Sequence, residues 1–144
     1  MRWEWDGVAF AVLHPRAGLP GSDNNRSCVL RIAAAGRVLL LAGDIEAEAE
    51  AVLLASAREQ LRADMLLVPH HGSRSSSTAA FVAAVQPRYA LVSAGHRNRF
   101  GHPHPDVLAR YRTSGAEILE TARHGAVRLQ VDVHGVIARP ERWR

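Results

Sequence analysis

Polar side chains follow apolar segments of the sequence directly, and they are of the types that bind metal ions or transfer protons. Asp44 follows Gly43 at the end of one apolar segment, and His70 and His71 stand together at the end of another. An acid in such a place can also cap the next helix, and for Asp44 alone capping is the simpler interpretation. Further groups are therefore needed before a metal site is indicated.

Two adjacent histidines, followed by Gly72 and a serine-rich turn, are hard to explain by packing. Adjacent side chains of an extended segment point in opposite directions, so we expect one imidazole to face the site and the other to be buried or to support it. The sequence does not decide between His70 and His71, and both can instead be loop histidines bonded to the backbone. Ser73 beside His71 also allows a nucleophile–base pair, but a serine cluster before a helix is more simply a turn and cap.

A third group lies in the loop after the apolar segment 89–92, where three histidines occur within nine residues. Individually, His96 and His104 are typical of solvated loop residues, whereas His102, between Gly101 and Pro103, is the better candidate ligand. One aspartate and several histidines at the ends of successive strands predict an oxygen–nitrogen site that suits zinc or manganese. A carboxylate that bridges two metals is typical of two-metal hydrolases, but these residues are too few for two complete coordination spheres.

The segments that position these residues predict an α/β protein. Residues 2–13 and 28–41 have the pattern of β-hairpins, and residues 14–25 between them are rich in loop formers. Three strand–helix alternations and closing strands follow. The predicted strands are 65–68, 89–92, 117–119, 127–131 and 136–138, and the predicted helices are 46–61, 77–85 and 105 to about 115.

Particular residues are expected to shape these helices. Ser77 is in place to cap the second helix, Pro105 suits the start of the third, and Gly115 suits its end. The apolar face of the first helix is expected to consist of Val52, Leu53, Ala55 and Leu61.

The net charge of +4 and the pI of about 10.5 would suit a nucleic-acid partner. All 18 basic residues are arginine, however, and they are scattered through an alanine-rich sequence, which is typical of high-GC codon usage. The charge thus permits DNA binding without indicating it. No apolar run approaches the ~20 residues that span a bilayer, and the N-terminus lacks the apolar core of a signal peptide.

The single cysteine, Cys28, excludes an internal disulfide framework and a zinc cluster built on cysteines. Its place in a strand-like segment predicts a small buried hydrophobe. The sequence also lacks the Gly-x-x-x-x-Gly-Lys, Gly-x-Ser-x-Gly and His-Glu-x-x-His motifs. Phosphate-loop enzymes, serine hydrolases with a nucleophile elbow and zincin-type proteases are therefore excluded.

These segments, in this order, resemble the metallo-β-lactamase-like domain of the ComEC family of competence proteins. The resemblance covers nearly the whole chain and implies a layered α/β fold, an αββα sandwich with a mixed sheet flanked by helices and metals at the sheet edge. The segments that carry it are residues 3–8 and 13–15, Asn24-Asn25-Arg26-Ser27-Cys28-Val29-Leu30, Leu41-Ala42-Gly43-Asp44-Ile45-Glu46, Val68-Pro69-His70-His71-Gly72-Ser73, Ser93-Ala94-Gly95 and Gly101-His102-Pro103-His104-Pro105.

The resemblance also implies roles for the polar residues. Asp44 is similar to the carboxylate that bridges the two metals, and His102 to the last histidine ligand. His71, or His70 in its place, is similar to a histidine that binds metal or relays a proton to the leaving group. These three positions would therefore be catalytic or metal-binding.

The superfamily's His-x-His-x-Asp-His motif, which supplies most of the metal ligands, is missing from this sequence. Residues 1–144 are therefore expected to be a single domain fragment, the C-terminal half of the domain, with Arg144 as its natural end. Alone, it would hold manganese or zinc weakly or partly and be catalytically impaired. Its partners would be the N-terminal half and a membrane channel, and an uncovered sheet edge would favour a homodimer.

The implied activity is that of a metal-dependent phosphodiesterase, a nuclease for single- or double-stranded DNA in a channel for natural transformation. The parent protein would lie in the bacterial inner membrane with this domain outside the cytoplasm, and the fragment itself would be soluble. Asn25 and Ser27 stand where other members place a further histidine ligand. The residues expected to contact DNA are Asn25, Ser27, Ser73, Arg97, Asn98 and Arg99.

Two other functions stay open. A non-catalytic module that binds or guides single-stranded DNA is favoured by the polar residues Asn25 and Ser27 in the ligand position. Such surfaces use exposed aromatic residues, and aromatic residues make up only 6% of this sequence, with Trp3 and Trp5 alternating with charges as strand residues do. The other function is hydrolysis of a small phosphoester or lactone, in which case generic esters would be turned over but DNA would not.

Overall fold

The computed structural model describes residues 1–15 and 22–143. The strands are β1 (Arg2–Trp5), β2 (Val8–His14), β3 (Val29–Ala34), β4 (Arg37–Leu41), β5 (Met65–Leu67), β6 (Tyr89–Val92), β7 (Glu117–Glu120), β8 (Val127–Arg128) and β9 (Glu141–Arg142). The α-helices are α1 (Ala47–Ala57), α2 (Ala79–Val85), α3 (Pro105–Thr113) and α4 (Thr121–His124). The predicted order of two hairpins followed by three strand–helix alternations is confirmed.

A single mixed sheet joins β1 to β7 in sequence order. Strands β1 to β4 are antiparallel, and β4 to β7 are parallel because α1, α2 and α3 return the chain to the same end of the sheet. The carboxyl ends of β4, β5 and β6 therefore meet at one edge, where ligands bind in open α/β sheets. A mixed sheet flanked by helices, as the sequence predicts, is confirmed.

The helices pack on one face of this sheet. Leu40, Leu66 and Ala90 are neighbours across β4, β5 and β6, and all three are fully buried with Leu53 of α1 and Phe81 of α2. Because strand side chains alternate, the residues next to them face the opposite way. The opposite face carries a second, smaller apolar cluster of Met65, Tyr89, Leu119 and Ile137.

The C-terminal tail covers that second face without the strands predicted for it. Only Val127–Arg128 forms a strand within 127–131, and residues 136–138 contribute an isolated bridge between Val131 and Ile137. A two-residue ladder between β8 and β9 and several side-chain contacts hold the tail. The Asp132 carboxylate accepts the backbone N–H of Val136, and the Gly135 carbonyl accepts Arg37 Nε–H at 2.6 Å.

The buried face of α1 and the cap of α2 differ from the sequence predictions, because long-range contacts determine them. Leu53 and Leu61 are buried as predicted, but Ala55 is exposed and the charged Glu50 is buried on that helix. The predicted cap Ser77 is wrong. Thr78 caps α2, because its side chain accepts the N–H of Phe81.

Cys28 is exposed, so its predicted burial is wrong. It lies directly before β3, where Val29 is fully buried, and alternation along the extended chain turns Cys28 outward. Within residues 1–15 and 22–143, no helix combines the length and hydropathy needed to cross a bilayer.

Candidate functional site

Asp44 lies just beyond β4 and is fixed by the loop before β3. Its backbone N–H donates to Ser27 Oγ at 3.1 Å. Gly43 has a φ of +60° and touches the same serine, since an added Cβ would lie 2.8 Å from Ser27 Cβ. The N-cap of α1 is Glu46, so the capping interpretation of Asp44 is wrong and its carboxylate is left for other contacts.

His70 and His71 occupy a tight turn after β5, the 3₁₀ segment Pro69–Gly72. Both have positive φ, 49° and 54°, so the chain is not extended there as the prediction assumed, and neither side chain is buried. The N–H of His70 donates to the Gly43 carbonyl at 2.9 Å. This bond ties the histidine turn to the loop that carries Asp44.

The two imidazoles have different partners. His71 Nε2 lies 3.6 Å from Asp44 Oδ1, and its Nδ1 lies 2.7 Å from the Ser93 carbonyl. His70 Nδ1 lies 3.3 Å from Glu46 Oε1. His71 is therefore the histidine that faces Asp44, while His70 faces the start of α1.

The bond to Ser93 determines the proton position on His71. A carbonyl oxygen can only accept, so Nδ1 carries the proton, and the neutral ring then presents the lone pair of Nε2 toward Asp44. Two acceptors that face each other repel unless a proton or a cation lies between them. Both side chains are about half exposed, 52% for His71 and 44% for Asp44, so the gap is open to solvent.

His102 joins this group from the loop after β6. Its ring centroid lies 5.8 Å from that of His70 and 5.8 Å from that of Phe100, on which it stacks at 20°. Desolvation lowers the pKa of His102, and positive charge on His70, His71 and His104 lowers it further. The uncharged ring that results is the form that can bind a metal.

Asn98 fixes the backbone of His102. Its Nδ2 donates to the His102 carbonyl at 2.6 Å, and its Oδ1 accepts the His102 N–H at 3.0 Å. Both ends of the Asn98 amide are thus engaged within the loop. The predicted DNA contact at Asn98 stays a prediction, and its observed contacts are those of a positioning residue.

The histidine turn and the His102 loop touch at Gly72. Gly72 has a φ of +81°, and an added Cβ would lie 2.7 Å from Pro103 Cβ. The Gly72 carbonyl accepts the N–H of His104 at 2.8 Å. The His104 ring caps α3 by accepting the N–H of Asp106, so His104 orients the loop from its far end.

The other predicted DNA contacts divide into two groups. Asn25 is buried, accepting the Glu46 N–H at 2.8 Å and donating to Glu48 at 3.2 Å, while Ser73 is buried beside Ser75. Together with Ser27, these residues hold the loops around Asp44. Arg97 and Arg99 are exposed.

Several groups that surround the site were not predicted from the sequence. Glu46 binds both His70 and the Ser75 hydroxyl, which donates to it at 2.7 Å. The Ser93 carbonyl determines which nitrogen of His71 carries the proton. Because every residue has a backbone carbonyl, the sequence cannot show which one makes this contact. Phe100 had a usable signal, since it is the aromatic residue of the histidine-rich loop.

The donor types suit zinc or manganese, but their number does not complete a site. Within residues 1–15 and 22–143, no three histidine, cysteine or acidic side chains are placed to hold one metal ion. Zinc in proteins takes at least three protein ligands. The described residues therefore do not form a complete metal site by themselves.

Residues 2–96 match the metallo-beta-lactamase superfamily, so the chain belongs to this superfamily, whose members in general bind divalent metals. It is 39% identical to competence protein ComA of Neisseria gonorrhoeae over 137 residues, 95% of this chain and 20% of that protein. ComE operon protein 3 of Bacillus subtilis is 38% identical over 83% of this chain and 15% of its own length. Recombination protein 2 of Haemophilus influenzae is 34% identical over 88% of this chain and 16% of its own length. The chain spans about a fifth or less of these relatives.

Proposed function

We propose that this chain supplies part of the active site of a metal-dependent phosphodiesterase that hydrolyses DNA during bacterial DNA uptake. The observation that carries the proposal is the 3.6 Å approach of His71 Nε2 to Asp44 Oδ1 at the carboxyl edge of the parallel strands. Two facing acceptors in a solvent-open gap suit a bound cation. The similarity to ComA and to ComE operon protein 3 supports DNA uptake as the setting.

The described residues have distinct tasks in this proposal. Asp44 and His71 contribute an oxygen and a nitrogen ligand, and His102 a further nitrogen from the neighbouring loop. Bound manganese or zinc would activate water and neutralise charge on the phosphate. His70, held by Glu46, is placed to move a proton beside the site.

The remaining ligands would come from polypeptide outside residues 1–144, in a protein as long as the relatives. That protein would be an inner-membrane channel with this domain outside the cytoplasm. Residues 1–144 alone would then bind metal weakly. The exposed Arg97 and Arg99 would hold the DNA backbone, since arginine pairs with phosphate through a planar set of donors.

The test is manganese-dependent cleavage of end-labelled single-stranded DNA by a longer polypeptide that includes these residues. We expect Asp44→Ala to abolish cleavage, and Glu4→Ala, which removes an exposed acid from the edge strand β1, to leave it unchanged. Equal cleavage by the wild type and Asp44→Ala would remove Asp44 from the mechanism.

A second function, a non-catalytic module that guides single-stranded DNA, is favoured by one observation. Asn25 stands where the resemblance puts another histidine ligand, and its amide is occupied by Glu46 and Glu48. A folded longer polypeptide that binds DNA but does not cleave it with manganese or zinc would support this second function.

A further inference from the structure

A cleft of about 440 Å³ opens beside the Asp44–His71 pair and shares His71 and His102 with the site described above. His71 and His102 form one wall, and Phe100, Asn98, Thr121 and Ser93 line the rest. Its volume lies in the range of sites that bind small molecules. Anything bound in it lies directly next to the histidines.

Two polar side chains of the cleft, Thr121 and Asn98, are satisfied by the protein. Thr121 Oγ1 donates to the Ala94 carbonyl and accepts the Ala94 N–H, both at 2.9 Å. The Asn98 amide is held at both ends by the His102 backbone. Ser93 adds a hydroxyl, which can donate to one partner and accept from another. The cleft thus offers an apolar surface with little hydrogen-bonding selectivity.

Phe100 is an exposed residue of the cleft lining. Its side chain is 65% exposed, unusual for a phenylalanine, and its ring is nearly parallel to His102. The Arg99 guanidinium lies 4.8 Å from the centre of the same ring. Because this guanidinium lies over the ring, a base that stacks there must displace it. An aromatic ring paired with arginine is the combination that surfaces for single-stranded nucleic acid use, since bases stack on the ring and the cation meets the phosphates.

We propose that this cleft binds one unpaired nucleobase, stacked on Phe100, next to the phosphate at the Asp44–His71 pair. This inference rests on the proposed action on DNA and specifies the substrate as single-stranded at that position. A base held in a duplex is stacked on its neighbours and cannot enter the cleft. Since the cleft has few selective hydrogen-bonding groups, all four bases are accepted with similar affinity.

The test uses the fluorescence of 2-aminopurine, placed within a single-stranded oligodeoxynucleotide, in the absence of metal. Stacking on an aromatic ring quenches this base, so titration of the protein should lower the fluorescence, and a fully paired duplex should give a much smaller change. Phe100→Ala should weaken binding of the single strand about tenfold and abolish the quenching. Phe100→Trp should retain both.

Trp5→Ala is the matched control, since Trp5 is an aromatic residue, 74% exposed, on the edge strand β1. Circular dichroism would show that each variant is folded. Equal quenching by the wild type and Phe100→Ala, or equal losses in Trp5→Ala and Phe100→Ala, would overturn the inference. Cleavage without quenching would support the proposed nuclease activity but would show that no base binds in this cleft. Quenching without manganese-dependent cleavage by the longer polypeptide would support the cleft and reject the nuclease.

Discussion

Replacing Gly72 with alanine tests whether the contact between two loops assembles the site. Gly72 has a φ of +81°, where an L-residue is strained by ~1–2 kcal/mol. The new Cβ would also lie 2.7 Å from Pro103 Cβ and 3.1 Å from its Cα. These neighbours are rigid, so the loops must move apart at a further cost of about 1–3 kcal/mol.

The total loss of about 2–5 kcal/mol corresponds to a fall in Tm of roughly 10 °C for a chain of this size. Gly101→Ala is the matched control. Gly101 lies in the His102 loop, on the other side of this contact, with a φ of +67°, but an added Cβ there meets nothing within 4 Å. We expect the strained backbone alone to lower the stability of this control. The Tm of Gly72→Ala should therefore be clearly lower than that of Gly101→Ala.

A second measurement follows the site itself. The pKa of His102 is lowered from its ordinary value of 6.5 by desolvation and by the neighbouring histidines. If Gly72→Ala moves the loops apart, both causes weaken and the pKa of His102 should rise toward 6.5 in an NMR titration. Equal destabilisation of the Gly72 and Gly101 variants, with an unchanged His102 pKa, would refute this reasoning.

Three further predictions concern other parts of the molecule. Burial raises the pKa of Glu50 above 4.5, so the unfolded state loses this proton first, and the free energy of unfolding should fall as pH rises from 4.5 through the raised pKa. Urea denaturation at a series of pH values should show that decline in the wild type but not in Glu50→Gln. Asn25→Ala should lose about 2 kcal/mol in the same assay because the Glu46 N–H loses its acceptor, and an unchanged urea midpoint would show that Asn25 does not position α1. The exposed Cys28 should react with a thiol reagent in the native protein nearly as fast as in urea, and strong protection would contradict its exposure.

The order of elements and the location of the site were predictable from local patterns. The strand Tyr89–Val92 was predicted to the residue, because its apolar run lies between loop formers. Asp44, His71 and His102 were predicted at strand ends, and the parallel part of the sheet brings those ends together. Alternation and turn residues act over short distances and are visible in the sequence.

Features set by distant contacts were not predictable. The sequence pattern put Ala55 on the apolar face of α1, but the helix turns Glu50 inward because its carboxylate accepts the N–H groups of Ser77 and Thr78. Those bonds join residues more than two dozen positions apart. The positive φ of His70 and His71 is likewise imposed by the turn that they occupy. Neither the hydrogen bonds of Glu50 nor the positive φ of the two histidines could be predicted from the neighbouring residues in the sequence.

The two hydrogen bonds between Asn98 and the His102 backbone close a small loop upon itself. Residues 99–101 lie inside this closure, so they can be exchanged while the Asn98 bonds still hold the backbone of His102. Sequence variation at these three positions would then alter the binding preference of the protein while the backbone of His102 keeps its position. A directed-evolution library confined to residues 99–101 would explore new binding preferences on a fixed chemical framework.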